Sequence, residues 1–366
     1  MTPQISMFDK SETNPSELLL GAMSDVASGS WYEAGFFVSD FEHAFAQMLG
    51  VDHCVSCASG TDALILALKA LECTHGDQIA LVANAGFYGS TAVHTLRATP
   101  VYVDVDDELL CMCPAALEDV LKDHSIKAVI VTHLYGQLAD ITAIAALCRS
   151  YGVALIEDCA QACGAADSNG SMAGSYGDIA CFSFYPTKNL GGCGEGGAFV
   201  AKDEAIHTQA RHIRVHGSDR RYYHDIVGGN FRMDGFQGAL LNVKLPHLAT
   251  WTARRQAIAA RYLAGIKLAD THLPAQPAYG KSVFHQFTIR HPRRDALREH
   301  LAKHEIGTDL IYPVPLHLQK CYASLGYGLG AFPVSELTAS TCVSLPIFPE
   351  LTDAQVDHVI ASLNAF

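Results

Sequence analysis

Residues 126–159 read IKAVIVTHLYGQLADITAIAALCRSYGVALIEDC. IKAVIVTHL (126–134) is a short run dense in Val, Ile and Leu, the composition of a strand buried on both faces. ITAIAALCRSYG (141–152) repeats its apolar residues at helical spacing, and GVALIEDC (152–159) returns to a strand-like run closing on Asp158. Strand, helix and strand in so short a space predict a crossover unit with its two strands parallel.

The same alternation extends to both sides. DQIALVA (77–83), ATPVYVDV (98–105), GDIACFSF (177–184) and GGAFVA (196–201) read as strands, and TDALILALKAL (61–71) and PAALEDVLKDH (114–124) as helices. The expected fold is α/β, with a mostly parallel central sheet covered by helices. After residue 230 the rhythm changes. Residues 232–269 are mostly helical, with Pro246 allowing a break. VFHQFTIR (283–290) reads as a strand, and DALREHLAKHEIG (295–307) and DAQVDHVIASLNAF (353–366) as helices. The expected division is a large unit over 1–245 and a smaller C-terminal α+β unit over 246–366, in line with the two compact units that 366 residues suggest.

Composition narrows the class. Apolar residues make up 49% and charged residues 17%, enough for a sizeable core. Twenty-five basic against 38 acidic side chains give a net charge of −13, which argues against nucleic acid as a partner, since neutralising phosphates needs a positive surface. No apolar run reaches the ~20 residues of a membrane helix, and MTPQISMFDKSETNPSELLL (1–20) lacks a basic stretch leading into an apolar one. Most of the 12 cysteines sit in apolar runs, as in LIEDCAQACGA, which fits a reducing, cytoplasmic setting. Cys54 and Cys57 form a CxxC beside His53 without a second ligand pair at metal-site spacing, so no metal is expected.

Four features fall at strand ends, where open parallel sheets bind ligands. In CASGTDAL (57–64) a Ser-Gly-Thr-Asp turn opens a helix whose first amides and dipole favour an anion, with Gly60 permitting close approach; alone, it is also an ordinary capped helix start. Asp158 ends a run that should be buried, so it needs a cationic partner or strong donors, and Gln161 lies three residues on. In SFYPTKNLGGCGEGGAFV (183–200), Ser183 and Lys188 precede a glycine-rich run; a phosphate-binding P-loop is excluded because its lysine follows the glycines. In GGNFRMDGFQGAL (228–240), Asn230 sits on a glycine-rich turn before a helix.

Pyridoxal phosphate accounts for all four together. It needs a lysine for a Schiff base, a carboxylate to keep its pyridine nitrogen protonated, and a helix N-terminus for its phosphate. A lysine released by the incoming amine can then carry protons, which is the chemistry of amino-group transfer.

These blocks also resemble the DegT/DnrJ/EryC1/StrS aminotransferases, sugar-modifying relatives with the aspartate aminotransferase fold (fold type I). The likeness runs from about residue 30 to the C-terminus through FEHAFAQMLGVDHCVSCASGTDALILAL, TPVYVDVD, VTHLYGQLADI, IEDCAQACGA, SFYPTKNLGGCGEGGAFV, GNFRMDGFQGALL and LPIFPELTDAQ. The resemblance implies that Lys188 bears the cofactor, Asp158 meets the pyridine nitrogen and Gln161 lies near the phenolic oxygen. It implies phosphate contacts from Gly60, Thr61 and Ser183, and from Asn230 toward the neighbouring subunit's cofactor, hence a homodimer with shared sites. In ANAGFYGST (83–91) the family's wording is altered, so the aromatic over the ring is expected to be Phe87, with Tyr88 as the other choice. Cys163 and Tyr185 stand where the family often has His. His285, Tyr312 and His317 resemble segments lining the sugar pocket, and RVHGSDRRYYH (214–224) is a polar loop that either meets a diphosphate or is simply solvated.

The resulting expectation is an aminotransferase acting on a nucleotide-linked keto-sugar, with glutamate as donor and C3 favoured over C4. Two rivals follow. A dehydratase of the same family would carry His in place of Lys188, and a non-catalytic regulator would have no reason to keep Lys188, Asp158, Gln161 and Ser183 together.

Overall fold

The computed structural model describes residues 5–11, 13–29, 32 and 35–366. In chain order the strands are β1 (His53–Cys57), β2 (Gln78–Val82), β3 (Thr99–Val103), β4 (Ile126–Thr132), β5 (Ala154–Asp158), β6 (Ala166–Asp167), β7 (Ile179–Ser183) and β8 (Gly197–Ala201). All but β6 join one seven-stranded sheet in the order β1-β8-β7-β5-β4-β2-β3. β2, β3, β4, β5 and β7 run parallel; β8 runs antiparallel to both its neighbours, β1 and β7. The expected α/β fold with a mostly parallel sheet is therefore the observed one.

Side-chain alternation explains why the strands are almost wholly apolar. Ile79 and Leu81 of β2 pack into one core with Leu64 and Leu68 of the Gly60–Ala70 helix, while Ala80 and Val82 face a second core with Val101, Val129 and Leu155. Burying each large aliphatic side chain is worth about 1.5–3 kcal/mol, so a sheet covered on both faces tolerates little polarity except at strand ends. β1 was not among the strands expected from sequence. HCVSC alternates Cys54 toward one apolar cluster and Cys57 toward another, because residues three apart on a strand face opposite ways. Both thiols are buried, and burial pushes both pKa values up.

A separate core lies on the C-terminal side. β9 (Gly280–Lys281) pairs with β6, and β10 (Phe287–Arg290) pairs antiparallel with β11 (Cys342–Leu345). Around β10 and β11 pack the helices Leu248–Gly265, Arg294–Lys303 and Asp353–Asn364, through Ile258, Tyr262, Phe287, Leu297, Val343 and Val356. The helix Gly235–Lys244 passes into Leu248–Gly265 through a 3-10 turn at Leu245–His247 that contains Pro246. Two stretches cross between the cores. Ile5 packs in this C-terminal core, bonded by backbone to Glu305 and Gly307, whereas Leu316, Tyr322 and Phe332 pack on the large sheet.

Register fixes the site. Cys57 and Ser183 both pair with Gly197, and Thr132 of β4 pairs with Asp158 of β5, so several strands end along one edge of the sheet.

Candidate active site

Asp158, the last residue of β5, is 8% exposed. Its Oδ1 accepts the Ala160 N–H at 3.1 Å and its Oδ2 accepts the Thr132 hydroxyl at 3.3 Å. Burial raises its pKa, opposed by the Ala160 amide, the Lys188 charge, His133 and Thr132. Lys188 lies in the turn after β7, its N–H bonded to the Tyr185 carbonyl. Burial lowers its amine to about 8, and the Asp158 charge works in the opposite sense. The two groups face one cavity of about 800 Å³ and interact through space, without ion-pair contact. Both groups line the cavity, and no ion pair between them closes it.

One end of that cavity is the start of the Gly60–Ala70 helix. Ser59 caps it, its Oγ accepting the Asp62 N–H at 3.1 Å and donating to the Asp62 carboxylate at 2.9 Å. The Gly60 and Thr61 amides have no acceptor among the described residues, which leaves two donors at the positive end of a helix dipole. Packing here is close: a Cβ on Gly60 would lie 2.7 Å from the Ser183 Cβ, and one on Gly197 would strike the Ser59 carbonyl. Ser183 lines the same end of the site as Gly60 and Thr61.

Gln161 is fixed at both ends of its amide. Its Oε1 accepts the Tyr135 N–H at 2.7 Å, and its Nε2 donates to the Tyr312 hydroxyl at 3.2 Å. His285 is buried on the wall, with its Nδ1 3.2 Å from the Asn189 Oδ1. Asn189 spends its own amide N–H on the Val283 carbonyl, so its oxygen is the acceptor and the His285 Nδ1 carries the proton. Burial, then the Lys188 and Arg255 charges, hold His285 well below the usual imidazole pKa, so Nε2 is a neutral acceptor.

Beneath the site, Glu157 and His133 form a fully buried pair at 2.9 Å. Glu157 also accepts the amides of Gly174, Tyr176 and Gly177 at 2.6–2.9 Å. The His133 Nδ1 accepts the Ala139 N–H, which puts its proton on Nε2 facing Glu157. Cys159 lies beside this pair.

Nine of the twelve residues expected at the site line this cavity: Gly60, Thr61, Tyr88, Asp158, Gln161, Ser183, Lys188, His285 and Tyr312. Three do not. Phe87 sits at the N-cap of the following helix, Tyr88–Thr95, and is 56% exposed, whereas Tyr88, the other choice, lines the cavity beside Tyr312. His317 is 1% exposed and spends its Nε2 on Glu336 at 2.9 Å, with its ring edge-on to Phe332, so it packs beside the large-sheet core and does not line the pocket. Asn230 is exposed, bridged to Val215, and lies outside its own chain's cavity. The 214–224 loop is likewise outside that cavity; Arg214 at its start is buried against Glu42 at 2.5 Å. Sequence reasoning overlooked Thr132, Glu195, Arg255 and the segment containing Met7 and Phe8. Arg255 left a signal: it occupies the apolar face of its helix, in line with Leu248, Ile258 and Tyr262.

A lysine and a carboxylate lining one cavity, with two free helix amides and a serine at one end, fit a pyridoxal-phosphate enzyme of the aspartate aminotransferase fold. The family model for the DegT/DnrJ/EryC1/StrS aminotransferase family matches residues 16–364, and the chain belongs to that family. It is 43% identical over 318 residues to the UDP-N-acetyl-3-dehydro-alpha-D-glucosamine 3-aminotransferase of Acidithiobacillus ferrooxidans, covering 87% of this chain and 85% of the relative. It is 38% identical to a "pleiotropic regulatory protein" of Geobacillus stearothermophilus, covering 100% of this chain and 98% of that one. The solved structure of S. venezuelae DesV in complex with a ketimine intermediate superposes with a TM-score of 0.96 at 36% identity, covering 100% of this chain and 98% of that one. The chain is accordingly a pyridoxal-phosphate-dependent aminotransferase.

Proposed function

We propose that this aminotransferase moves an amino group from glutamate onto C3 of a nucleotide-linked keto-sugar. The observation that carries the reading is that Lys188 and Asp158 line one cavity with a helix N-terminus at its end. When bound, pyridoxal phosphate supplies an electron sink that makes the carbon next to the transferred nitrogen acidic. Every other task falls to the chain. Lys188 would hold the cofactor covalently and, when free, its amine, lowered by burial to about 8 in the chain alone, would be able to carry a proton near neutral pH. Asp158, its carboxylate steadied by Ala160 and Thr132, would keep the pyridine nitrogen protonated. Gly60, Thr61 and Ser183 would hold the phosphate and Gln161 the phenolic oxygen, with Tyr88 the cavity aromatic that would meet the ring. His285 and Tyr312 border the space left for the sugar.

The C3 assignment rests on the 214–234 wording and on the named activity of the Acidithiobacillus relative. We further infer a homodimer in which Asn230 reaches the partner's phosphate. Tyr222 and Val227, 78% and 86% exposed on the preceding loop, favour a covered surface. The twelve free cysteines support a cytoplasmic location, and no helix among the described residues is long and apolar enough to cross a membrane. The regulator's name borne by one relative is the reason to test catalysis directly. A glutamate-dependent assay over nucleotide 3-keto and 4-keto sugars, read by product mass, is expected to give the 3-amino sugar. Turnover of 4-keto substrates alone would overturn the regiochemistry, and no turnover with any would overturn the substrate class.

A further inference from the structure

The cavity wall carries one cation that this reading leaves unused. Arg255 is 3% exposed yet lines the cavity next to His285 and Ile347. Its Nη1 donates to three backbone carbonyls, of Ile347 at 2.7 Å, Phe284 at 3.1 Å and His285 at 3.5 Å, which fix the plane of the guanidinium. Its Nε and Nη2 have no acceptor among the described residues, and neither is among the atoms sealed from solvent without a partner. Two nitrogens of a buried guanidinium, with three N–H groups between them, are thus left unpaired on a side chain that lines the cavity.

Its surroundings do not neutralise it. The acidic group acting on Arg255 is Glu350, which is not in ion-pair contact with it. Glu350 also acts on Lys10 and Lys244, so one carboxylate serves three cations. Burial lowers all three, Lys10 to about 7, Lys244 to about 8 and Arg255 to about 10, as expected where positive charge lacks a counter-ion. Lys10 ties this cluster to the reacting centre, because its ammonium donates to the Lys188 carbonyl at 3.3 Å. An arginine keeps its proton, so the vacant side of the fork calls for an anion, and a planar fork fits a carboxylate on two oxygens.

We propose that Arg255 anchors a carboxylate of the amino donor, and so makes the enzyme select an amino acid over a simple amine. This rests on the aminotransferase reading. The other anion available is the nucleotide diphosphate. That group is separated from the reacting carbon by the sugar ring and leads to a bulky nucleoside, whereas Arg255 is enclosed and electrostatically close to Lys188 through Lys10 and His285. A carboxylate directly attached near the transferred nitrogen suits that confined position.

The test uses holoenzyme carrying Arg255→Lys, Arg255→Gln or Glu350→Gln. Two half-reactions are followed separately by the cofactor's absorbance, with glutamate and with the nucleotide-linked amino sugar. Binding of glutarate, a dicarboxylate that cannot transfer an amine, is measured by calorimetry. Arg255→Gln is expected to weaken glutarate binding and raise the glutamate requirement by about tenfold or more, the scale of a lost charge-assisted hydrogen bond. Arg255→Lys should fall between, with the amino-sugar half-reaction preserved in both. Glu350→Gln should tighten glutarate a few-fold, an opposite sign that a purely structural role would not produce. If the Arg255 variants fail to fold, Glu350→Gln decides, and unchanged or weaker glutarate binding overturns the proposal. Equal losses in both half-reactions, or a loss confined to the amino sugar, also overturn it. In each case an amino-sugar half-reaction in the wild type leaves the aminotransferase reading standing.

Discussion

Replacing Asp158 by Asn separates the catalytic role of this carboxylate from its structural one. Asn is isosteric, and both donors remain usable: Oδ1 still accepts from Ala160 at 3.1 Å, and the Thr132 hydroxyl, now 3.3 Å from an amide group, can turn to accept. The wild-type carboxyl has a raised folded-state pKa, so ionising it opposes folding of the cofactor-free chain as pH climbs above the ordinary Asp value. Asn removes that opposition. Cofactor-free Asp158→Asn should melt at the same temperature or slightly higher at pH 7. Catalysis should move the other way. Losing the carboxylate that would keep the pyridine nitrogen protonated should lower the rate by about 10²–10⁴-fold, the scale of a positioned acid–base group. Thermal melts of the cofactor-free protein and single-turnover absorbance with glutamate measure the two effects independently. Turnover within a few-fold of wild type would refute the assignment of Asp158 to the pyridine nitrogen. A large drop in melting temperature would instead make the residue structural.

Two further outcomes follow from the geometry. Glu157→Gln should cost about 3–5 kcal/mol, because it unbalances a fully buried pair with His133. Burial alone would raise the Glu157 pKa, but the bonds from His133, Gly177 and Gly174 outweigh it and hold it below its ordinary value. Its stabilisation is therefore present above the unfolded-state value and lost as pH falls through the folded one, so urea melts should show the wild-type advantage shrinking toward acid pH. A constant difference across pH would contradict this. Gly60→Ala brings a Cβ within 2.7 Å of the Ser183 Cβ, and overpacking of this kind costs about 1–3 kcal/mol. Weaker cofactor retention in equilibrium dialysis is expected, and unchanged retention would remove Gly60 from the phosphate cradle.

Much of this site was legible because its residues sit where the chain itself announces them. Asp158 and Ser183 end apolar strands, and the Gly60 turn opens a periodic helix, so local pattern sufficed. What the sequence left open was decided by packing. Phe87 and Tyr88 are neighbours, and only the start of the helix at Tyr88 determines which ring turns inward. His317 carries the chemistry of a pocket residue, yet Glu336, brought back by the following helix, holds it in the core. β1 went unread because Cys and Ser dilute its apolar signal; pairing with β8 makes it a strand. Arg255, Met7 and Phe8 reach the cavity from segments distant in sequence, where only tertiary contacts bring them in.

The most direct test of the account is to reduce the holoenzyme with borohydride and map the labelled peptide by mass spectrometry. The modification should fall on Lys188 alone, and Lys188→Ala should lose both the label and the visible absorption band. A label on another lysine, or a band that survives in Lys188→Ala, would contradict the central claim.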